Sequence, residues 1–341
     1  MKINKNINIT VLYNLPGQGE TGSWAKVADE DTQVSAMEIK EVLELSGFKT
    51  QLLGVGINDL WKINKIKSDL VFNLIEWAGK DIKYAVEAFR ELVKSGIPYT
   101  GSDIKGYLLS VDKVKMKKLF VRLGIPTPKW QVYSPENKNY KRLDYPVILK
   151  PAYEHCGIGI SQDSIIDSNV QLSKKIVELQ RQFDQPILAE EYIDGKEVNV
   201  TVLEKNLKPW VLPPIEVVMG HKKNERPIFS YNRKWNDESA EFWQTSVRVA
   251  KLGKNVIGKI IGYAKKAYLG MGGRDYPRLD FRMKGNIPMA LEINNNPEID
   301  FTFQGGIRES AAAVGLDYGK LLTHVVEQAH LRFLTNKYAS I

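Results

Sequence analysis

Arg278-Leu-Asp280-Phe-Arg-Met283, Lys284-Gly285-Asn286 and Pro288-Met-Ala-Leu-Glu292-Ile-Asn294 form the stretch on which the fold turns. Two runs of alternating polar and apolar residues around a short Gly-Asn turn predict a β-hairpin, with strands over 278–283 and 288–294. Side chains two apart on a strand share a face. Arg278 therefore sits with Asp280, and Glu292 with Asn294, and the hairpin brings all four together. Leu279, Phe281, Leu291 and Ile293 fall on the opposite face, which is buried. Two carboxylates and an amide oxygen suit a hard, oxygen-seeking cation such as Mg²⁺, or Mn²⁺ in its place. An amphipathic hairpin with a wet polar face would read the same way in isolation. The hairpin gains weight from other phosphate-binding parts that precede it.

One such part is Val147-Ile-Leu-Lys150-Pro151, followed by Glu154-His-Cys156-Gly157-Ile-Gly159. A lysine ending a buried strand, with a small-residue loop behind it, can set an ammonium and backbone N–H groups against phosphate oxygens. A surface turn would explain the glycines, but less well a lysine placed between three apolar residues and a proline. Cys156 beside His155 suggests a thiol nucleophile. Adjacent residues on an extended loop point apart, so a small loop residue is the preferred reading. A third part is Leu188-Ala-Glu190-Glu191-Tyr192-Ile193, then Gly195-Lys-Glu197. A strand running into a linker offers backbone groups to an adenine edge and a carboxylate to ribose, although acidic strand ends are common.

Gly17-Gln-Gly19-Glu-Thr-Gly22 matches the dinucleotide fingerprint G-x-G-x-x-G. Pro16 precedes it, Asp29–Asp31 delay the expected helix, and the second strand ends at Gly54 where a ribose-binding acid is wanted. It reads as a loop over a substrate site, with NAD disfavoured. The pattern G-x-x-x-x-G-K-[ST] is absent, which excludes an ordinary P-loop ATPase.

Around these motifs the first third alternates strand and helix: strands at 7–15, 48–55 and 70–75, helices at 29–46 and 81–94. That rhythm predicts a small parallel sheet with helices outside. A helix over 112–123 ends at Gly124 and Pro126, and Gly-Ile-Pro-Thr-Pro marks a domain junction. Strands follow at 130–133, 145–150, 159–161, 186–192, 198–203 and 211–218, with a helix at 170–182. The polar segment 221–243 reads as a mobile lid. A long helix is expected over 246–269 and a closing one over 318–335.

The chain has 341 residues, enough for two or three domains, with 43% hydrophobic and 26% charged residues as in ordinary soluble proteins. No apolar run reaches the length of a membrane span, and the N-terminus lacks the pattern of a secretory signal. One cysteine excludes an internal disulfide and fits the cytoplasm. Four scattered histidines offer no zinc or haem constellation. The net charge of +8 comes without a basic stripe interleaved with aromatics, so nucleic acid is not an expected partner, nor is a membrane. Lys113, Lys115, Lys117 and Lys118 read first as a solvated helix face.

Ile97-Pro-Tyr-Thr-Gly-Ser102, Asp112-Lys113, Leu149-Lys150-Pro151, Glu190, Glu197, Lys234, Arg278-Leu-Asp280 and Glu292-Ile-Asn294, in this order and with this spacing, resemble D-alanine–D-alanine ligase and its relatives in the ATP-grasp superfamily. The resemblance runs from about Leu70 to the C-terminus, and the first sixty residues match only in rhythm. It implies an ATP-grasp fold of α/β and α+β units. These are an N-terminal parallel-sheet substrate domain (1–110), a central ATP-grasp subdomain (111–193), and a C-terminal subdomain with metal site and lid (194–341). Lys113 and Lys150 would contact the phosphates, beside the loop of Glu154, Cys156 and Gly157. Glu190, with the backbone of Glu191, Tyr192 and Ile193, would hold adenine, and Glu197 the ribose. Lys234, in the lid sequence Tyr-Asn-Arg-Lys-Trp, would close on the terminal phosphate. Asp280, Glu292 and Asn294 would carry Mg²⁺, and Arg278 would stabilise an acyl phosphate and the tetrahedral intermediate. The resemblance further implies a homodimer formed through the N-terminal domain.

The sequence departs from that pattern at its acceptor end. Where D-alanine ligases continue Asn-x-Ser-Pro-Gly, this chain reads Asn294-Asn-Asn296-Pro297-Glu298. Cys156-Gly157 replaces the usual pair of serines. The family's glutamate-serine pattern is missing from the N-terminal loop, where Gln18 and Glu20 stand as candidates for substrate contact. The expectation is an ATP-dependent carboxylate–amine ligase with an acceptor other than D-alanine. Its rivals are D-alanine–D-alanine ligase proper, an ATP-grasp kinase, and an ATP-binding protein without turnover.

Overall fold

The computed structural model describes residues 5–16, 23–134, 143–299 and 306–339, with side chains left out at 23–29 and 336–339. Gln18 and Glu20 lie outside the described residues. The N-terminal unit comprises β1 (Asn8–Asn14), α1 (Ser23–Leu45), β2 (Lys49–Val55), β3 (Leu70–Leu74) and α2 (Ile82–Ser95). Its three strands are parallel in the order β2-β1-β3. Alternation along β1 sends Ile9 and Val11 to one face, with Ile39 and Leu43 of α1, and Leu12 to the other, with Phe89 and Leu92 of α2. Gly96 ends α2 in the left-handed region at φ +67°, where a Cβ would be strained. Helix α1 starts at Ser23, so Asp29–Asp31 lie within it and do not delay it.

A helix absent from the sequence reading, α3 (Ile104–Ser110), precedes α4 (Lys113–Arg122). Each begins on an aspartate cap: Asp103 accepts from the Gly106 N–H and Asp112 from the Lys115 N–H. The lysine run on α4 is not a solvated face. Lys115 and Lys118 are exposed, but Lys113 and Lys117 are buried. Spacing of four residues puts those two ammonium groups on one side of the helix, turned inward.

The central unit is an antiparallel sheet in the order β4-β7-β5-β6, from β4 (Trp130–Tyr133), β5 (Val147–Pro151), β6 (Ile165–Ile166) and β7 (Ile187–Glu191), covered by α5 (Asn169–Phe183). The strand expected at 159–161 is absent. Cys156, Gly157 and Gly159 all have positive φ, which no extended strand can accommodate, and pairing with β5 resumes at β6.

In the C-terminal unit the sheet runs β11-β10-β8-β12-β13, with β9 also on β8. Its strands are β8 (Glu197–Lys205), β9 (Lys208–Val211), β10 (Ile215–Met219), β11 (Thr245–Val249), β12 (Arg278–Lys284) and β13 (Ile287–Asn294). The single strand expected over 211–218 is two, parted at Pro213-Pro214, where missing N–H groups break the ladder. The long helix expected from Ser246 begins only at Lys254, as α8 (Lys254–Gly270). Residues 245–249 pair with β10 as a strand. Short helices α6 (Tyr231–Trp235) and α7 (Ala240–Trp243) occupy the lid segment. α9 (Gly306–Ala312) and α10 (Tyr318–Ala339) follow. The apolar face of α10, with Leu321, Leu322 and Val325, packs into the core of the N-terminal sheet and ties the two ends of the chain together.

Candidate active site

The three sheets meet around one cavity of about 540 Å³, within the range of small-ligand sites. It is lined by Lys113, Lys150, Glu154, Cys156, Gly157, Glu190, Glu191, Tyr192, Ile193, Glu197, Lys234, Arg278, Asp280, Glu292 and Asn294, all singled out in the sequence.

The hairpin forms one wall. Arg278 pairs with Asn294 across the strands, and Asp280 with Glu292. Arg278 Nε and one terminal nitrogen donate to the two oxygens of Asp280 at 2.8 and 2.9 Å. The register shifts between Asp280 and Phe281, so Phe281 faces Ala290 and Leu291 is the extra residue. Such a bulge re-aims a side chain. Leu291, expected in the core, lines the cavity beside Glu292, while Ala290 joins Leu279, Phe281 and Ile293 in the core.

On the facing wall, Lys150 at the end of β5 and Lys117 on α4 both reach Glu190 of β7, which is 1% exposed. Lys117 Nζ stands 2.6 Å from Glu190 Oε2, and Lys150 is bonded to Oε1. Burial would raise the Glu190 acid, but the two ammonium groups outweigh it and hold it down at about 2. Burial would likewise lower the Lys150 ammonium; Glu190 and Glu292 pull it above its ordinary value. Lys113 is bonded to the Glu154 carbonyl, and its ammonium lies 3.6 Å from Glu292. Glu197 is buried against Arg282, 3.0 Å away. Glu191, at the cavity edge, is bonded to Lys284. Tyr192 donates its hydroxyl to the Pro227 carbonyl at 3.3 Å, and Ile193 is buried behind it.

The loop after β5 does not splay His155 and Cys156 apart. With Cys156 at φ +57°, His155 Nδ1 lies 2.8 Å from Cys156 Sγ and Nε2 lies 3.0 Å from the Glu76 carbonyl oxygen. Glu76, His155 and Cys156 thus gather possible ligand atoms within 4.8 Å of one another, a trio that sequence spacing did not reveal. Burial pushes the Cys156 thiol up to about 12, so it is a neutral loop residue and a poor nucleophile. The lid rests on this loop. Trp235 Nε1 donates to the Cys156 carbonyl at 3.0 Å, and Lys234 Nζ lies 2.5 Å from Glu298 Oε1.

Lys117, Glu76 and Glu298 were missed as site residues. A four-residue step from Lys113 marks Lys117. Glu76 follows the carboxyl end of a parallel strand, the edge at which α/β sheets bind ligands. Glu298 stood out in the sequence only as an odd charge in place of glycine.

A sequence model described as "D-ala D-ala ligase C-terminus" matches residues 119–327. The chain belongs to the D-alanine–D-alanine ligase family. It is 27% identical over 305 residues to the D-alanine–D-alanine ligase of Bordetella avium, covering 88% of this chain and 90% of that one. The structure superposes on that of the Bacillus anthracis D-alanine–D-alanine ligase complexed with ATP with a TM-score of 0.73, covering 97% of this chain and 99% of that one at 22% identity. It superposes on the VanG D-Ala:D-Ser ligase of Enterococcus faecalis with a TM-score of 0.69 at 20% identity, covering 95% and 99%. The fold is ATP-grasp, and the protein is an ATP-dependent, ADP-forming carboxylate–amine ligase. Among the described residues no helix is long and apolar enough to cross a membrane.

The cavity suits a nucleotide and a hard cation on its own chemistry. Asn199 Oδ1, on its wall, is buried without a partner among the described residues, and the loop of positive-φ residues adjoins Lys150. Asp280, Glu292 and Asn294 are an all-oxygen donor set, as Mg²⁺ requires.

Proposed function

We propose that this ligase joins a carboxylate to an amine other than D-alanine through an acyl phosphate. The observation that carries the ligase reading is the convergence of Lys150, Lys113, Arg278 and Glu292 on a single cavity. Bound Mg-ATP supplies the γ-phosphoryl group that converts a carboxylate into an acyl phosphate, with the metal neutralising phosphate charge. Asp280, Glu292 and Asn294 hold the metal. Lys113 and Lys150 position the phosphates, beside the tight turn of Glu154, Cys156 and Gly157. Because the Glu190 carboxylate is already held by two lysines, the adenine edge falls to the backbone of Glu191, Tyr192 and Ile193. Glu197 takes the ribose hydroxyls. Arg278 offsets charge on the acyl phosphate and on the tetrahedral oxygen, and Lys234 on the lid closes over the terminal phosphate and excludes water. We divide the chain near residues 110 and 193, at the changes from the parallel sheet to the two antiparallel ones. Exposed Met37 and Leu45 on α1 support pairing of two copies through the N-terminal unit.

The altered acceptor rests on the loop after β13. Asn296 Oδ1 accepts from the Ser102 N–H at 2.9 Å, and Glu298 stands against the lid lysine. The test is ADP release from Mg-ATP with carboxylates and amines, alone and in pairs, with product analysis. Release that needs both partners and yields an amide supports the ligase. A stable phosphorylated product would make it a kinase, and efficient formation of D-alanyl-D-alanine would restore the family's ordinary acceptor.

A further inference from the structure

We propose that the amine acceptor is a carboxylate-free amine, a diamine or an amino-acid amide, selected by Glu298 with Glu76. This inference rests on the ligase reading above and names the substrate class of the same site.

Three carboxyl groups from different elements line the cavity, Asp31 of α1, Glu76 after β3 and Glu298 after β13, with the cations Lys234 and Arg278 next to Glu298. Glu298 Oε1 touches Lys234 at 2.5 Å and lies 3.7 Å from Cys156 Sγ, so the carboxylate faces the space between lid and phosphate loop. Glu76 is half-buried there too. Burial first, then Cys156 and Glu298, push its acid well above the usual carboxylate range. A substrate carboxylate entering this space would meet the Glu298 carboxylate, beside a Glu76 group that itself resists ionisation there, an arrangement that disfavours a further negative charge. A cation meets the opposite. When Lys234 turns to a terminal phosphate, Glu298 loses its bonded partner and keeps only the more distant charge of Arg278, and an ammonium from the acceptor takes the vacated place.

A second observation concerns neutral groups. Among the described residues, Asn296 Nδ2 and Asn73 Nδ2 are buried donors without partners, on side chains 5% and 0% exposed. Asn296 lines the main cavity, and both line a small adjoining one with Glu76 and Glu298. Buried N–H groups need an acceptor oxygen. Beside two carboxyl groups, the neutral carbonyl of an amide fits where a carboxylate does not.

The experiment uses the full chain loaded with Mg²⁺ and a non-hydrolysable ATP analogue. Binding of D-alaninamide, 1,4-diaminobutane and D-alanine is measured by calorimetry, with ADP release from Mg-ATP recorded in parallel. We expect the amide and the diamine to bind at least about tenfold tighter than D-alanine. Glu298→Gly should abolish that preference and Glu298→Gln should weaken the diamine more than the amide. Equal or tighter binding of D-alanine, or a preference unchanged in Glu298→Gly, overturns the inference while ADP release still stands for the ligase. Absence of ADP release with every pair overturns the ligase reading and this inference with it.

Discussion

Arg278 and Asp280, two residues apart on β12, hold each other through parallel bonds of 2.8 and 2.9 Å on the wall of the cavity. Each carboxylate oxygen keeps a second lone pair, so Asp280 can still offer one to a cation, but the guanidinium charge opposes that cation until Arg278 turns to another anion, such as the phosphorylated carboxylate of the proposed reaction. Arginine and metal thus share one carboxylate. Replacing Arg278 by Met should lower turnover on the order of 10² or more, with little change in affinity for an ATP analogue. The same variant should bind Mn²⁺ more tightly without nucleotide, because Asp280 is released. Measuring ADP release and titrating Mn²⁺ by electron paramagnetic resonance would check both. Unchanged Mn²⁺ affinity would show that the pair does not compete with the metal.

Lys117 is 1% exposed and lies 2.6 Å from Glu190, itself sealed from water. Removing one partner of a buried ion pair leaves an uncompensated charge, at a cost of about 3–5 kcal/mol. Lys117→Met should lose stability on this scale in denaturant unfolding. It should also raise the KM for ATP more than it lowers kcat, since Lys150 would then be drawn more firmly onto Glu190. Stability within about 0.5 kcal/mol of the parent would show that Lys150 alone neutralises the carboxylate.

These residues show what the sequence could and could not carry. The hairpin was legible because its spacing is local: alternation over 278–294 fixes which side chains share a face. Residues 246–249 fall within the expected helix because Ser-Val-Arg-Val is too short to show a strand period against the adjoining α8, and only pairing with β10 decides it. The Leu291 bulge depends on register between strands, which alternation on one strand does not encode. Lys117 looked solvated because charge runs usually are, and its burial depends on Glu190 arriving from 73 positions away in the chain. The His155–Cys156 contact needed the positive φ at Cys156, which nothing in its side chain announces.

Glu190 and Glu76 should bend the pH–stability curve in opposite directions. Glu190 has its acid lowered from 4.5 to about 2, so its contribution is present above pH 4.5 and is lost as the pH falls toward 2. Glu76 has its acid raised well above 4.5 by burial, Cys156 and Glu298. The folded state therefore binds its proton more tightly than the unfolded one, and stability declines as pH rises from 4.5 through its folded value. Glu76→Gln should remove that decline and be more stable than the parent at pH 7. Glu190→Gln should flatten the acid limb below pH 4.5. Urea unfolding from pH 3 to 8 would show both, and a Glu76→Gln curve parallel to the parent's would contradict the assignment.

Cys156 lies in the loop after β5 with its thiol pushed up to about 12, first by burial and then by the neighbouring Glu298 carboxylate, against Lys234. The thiolate is the reactive form, and at pH 8 such a thiol holds only about one part in 10⁴ of it, against roughly a quarter for a free cysteine. Alkylation of the native protein by iodoacetamide at pH 8 should therefore run on the order of 10³ times slower than in the urea-unfolded chain. The native rate should keep rising with pH for as long as the fold survives. Bound Mg-ATP should slow it further, because the lid that covers the loop through Trp235 would be held down. A native rate equal to the unfolded one, with a plateau near pH 9, would mean an ordinary exposed thiol and would remove the dry environment on which the selection by Glu298 and Glu76 depends.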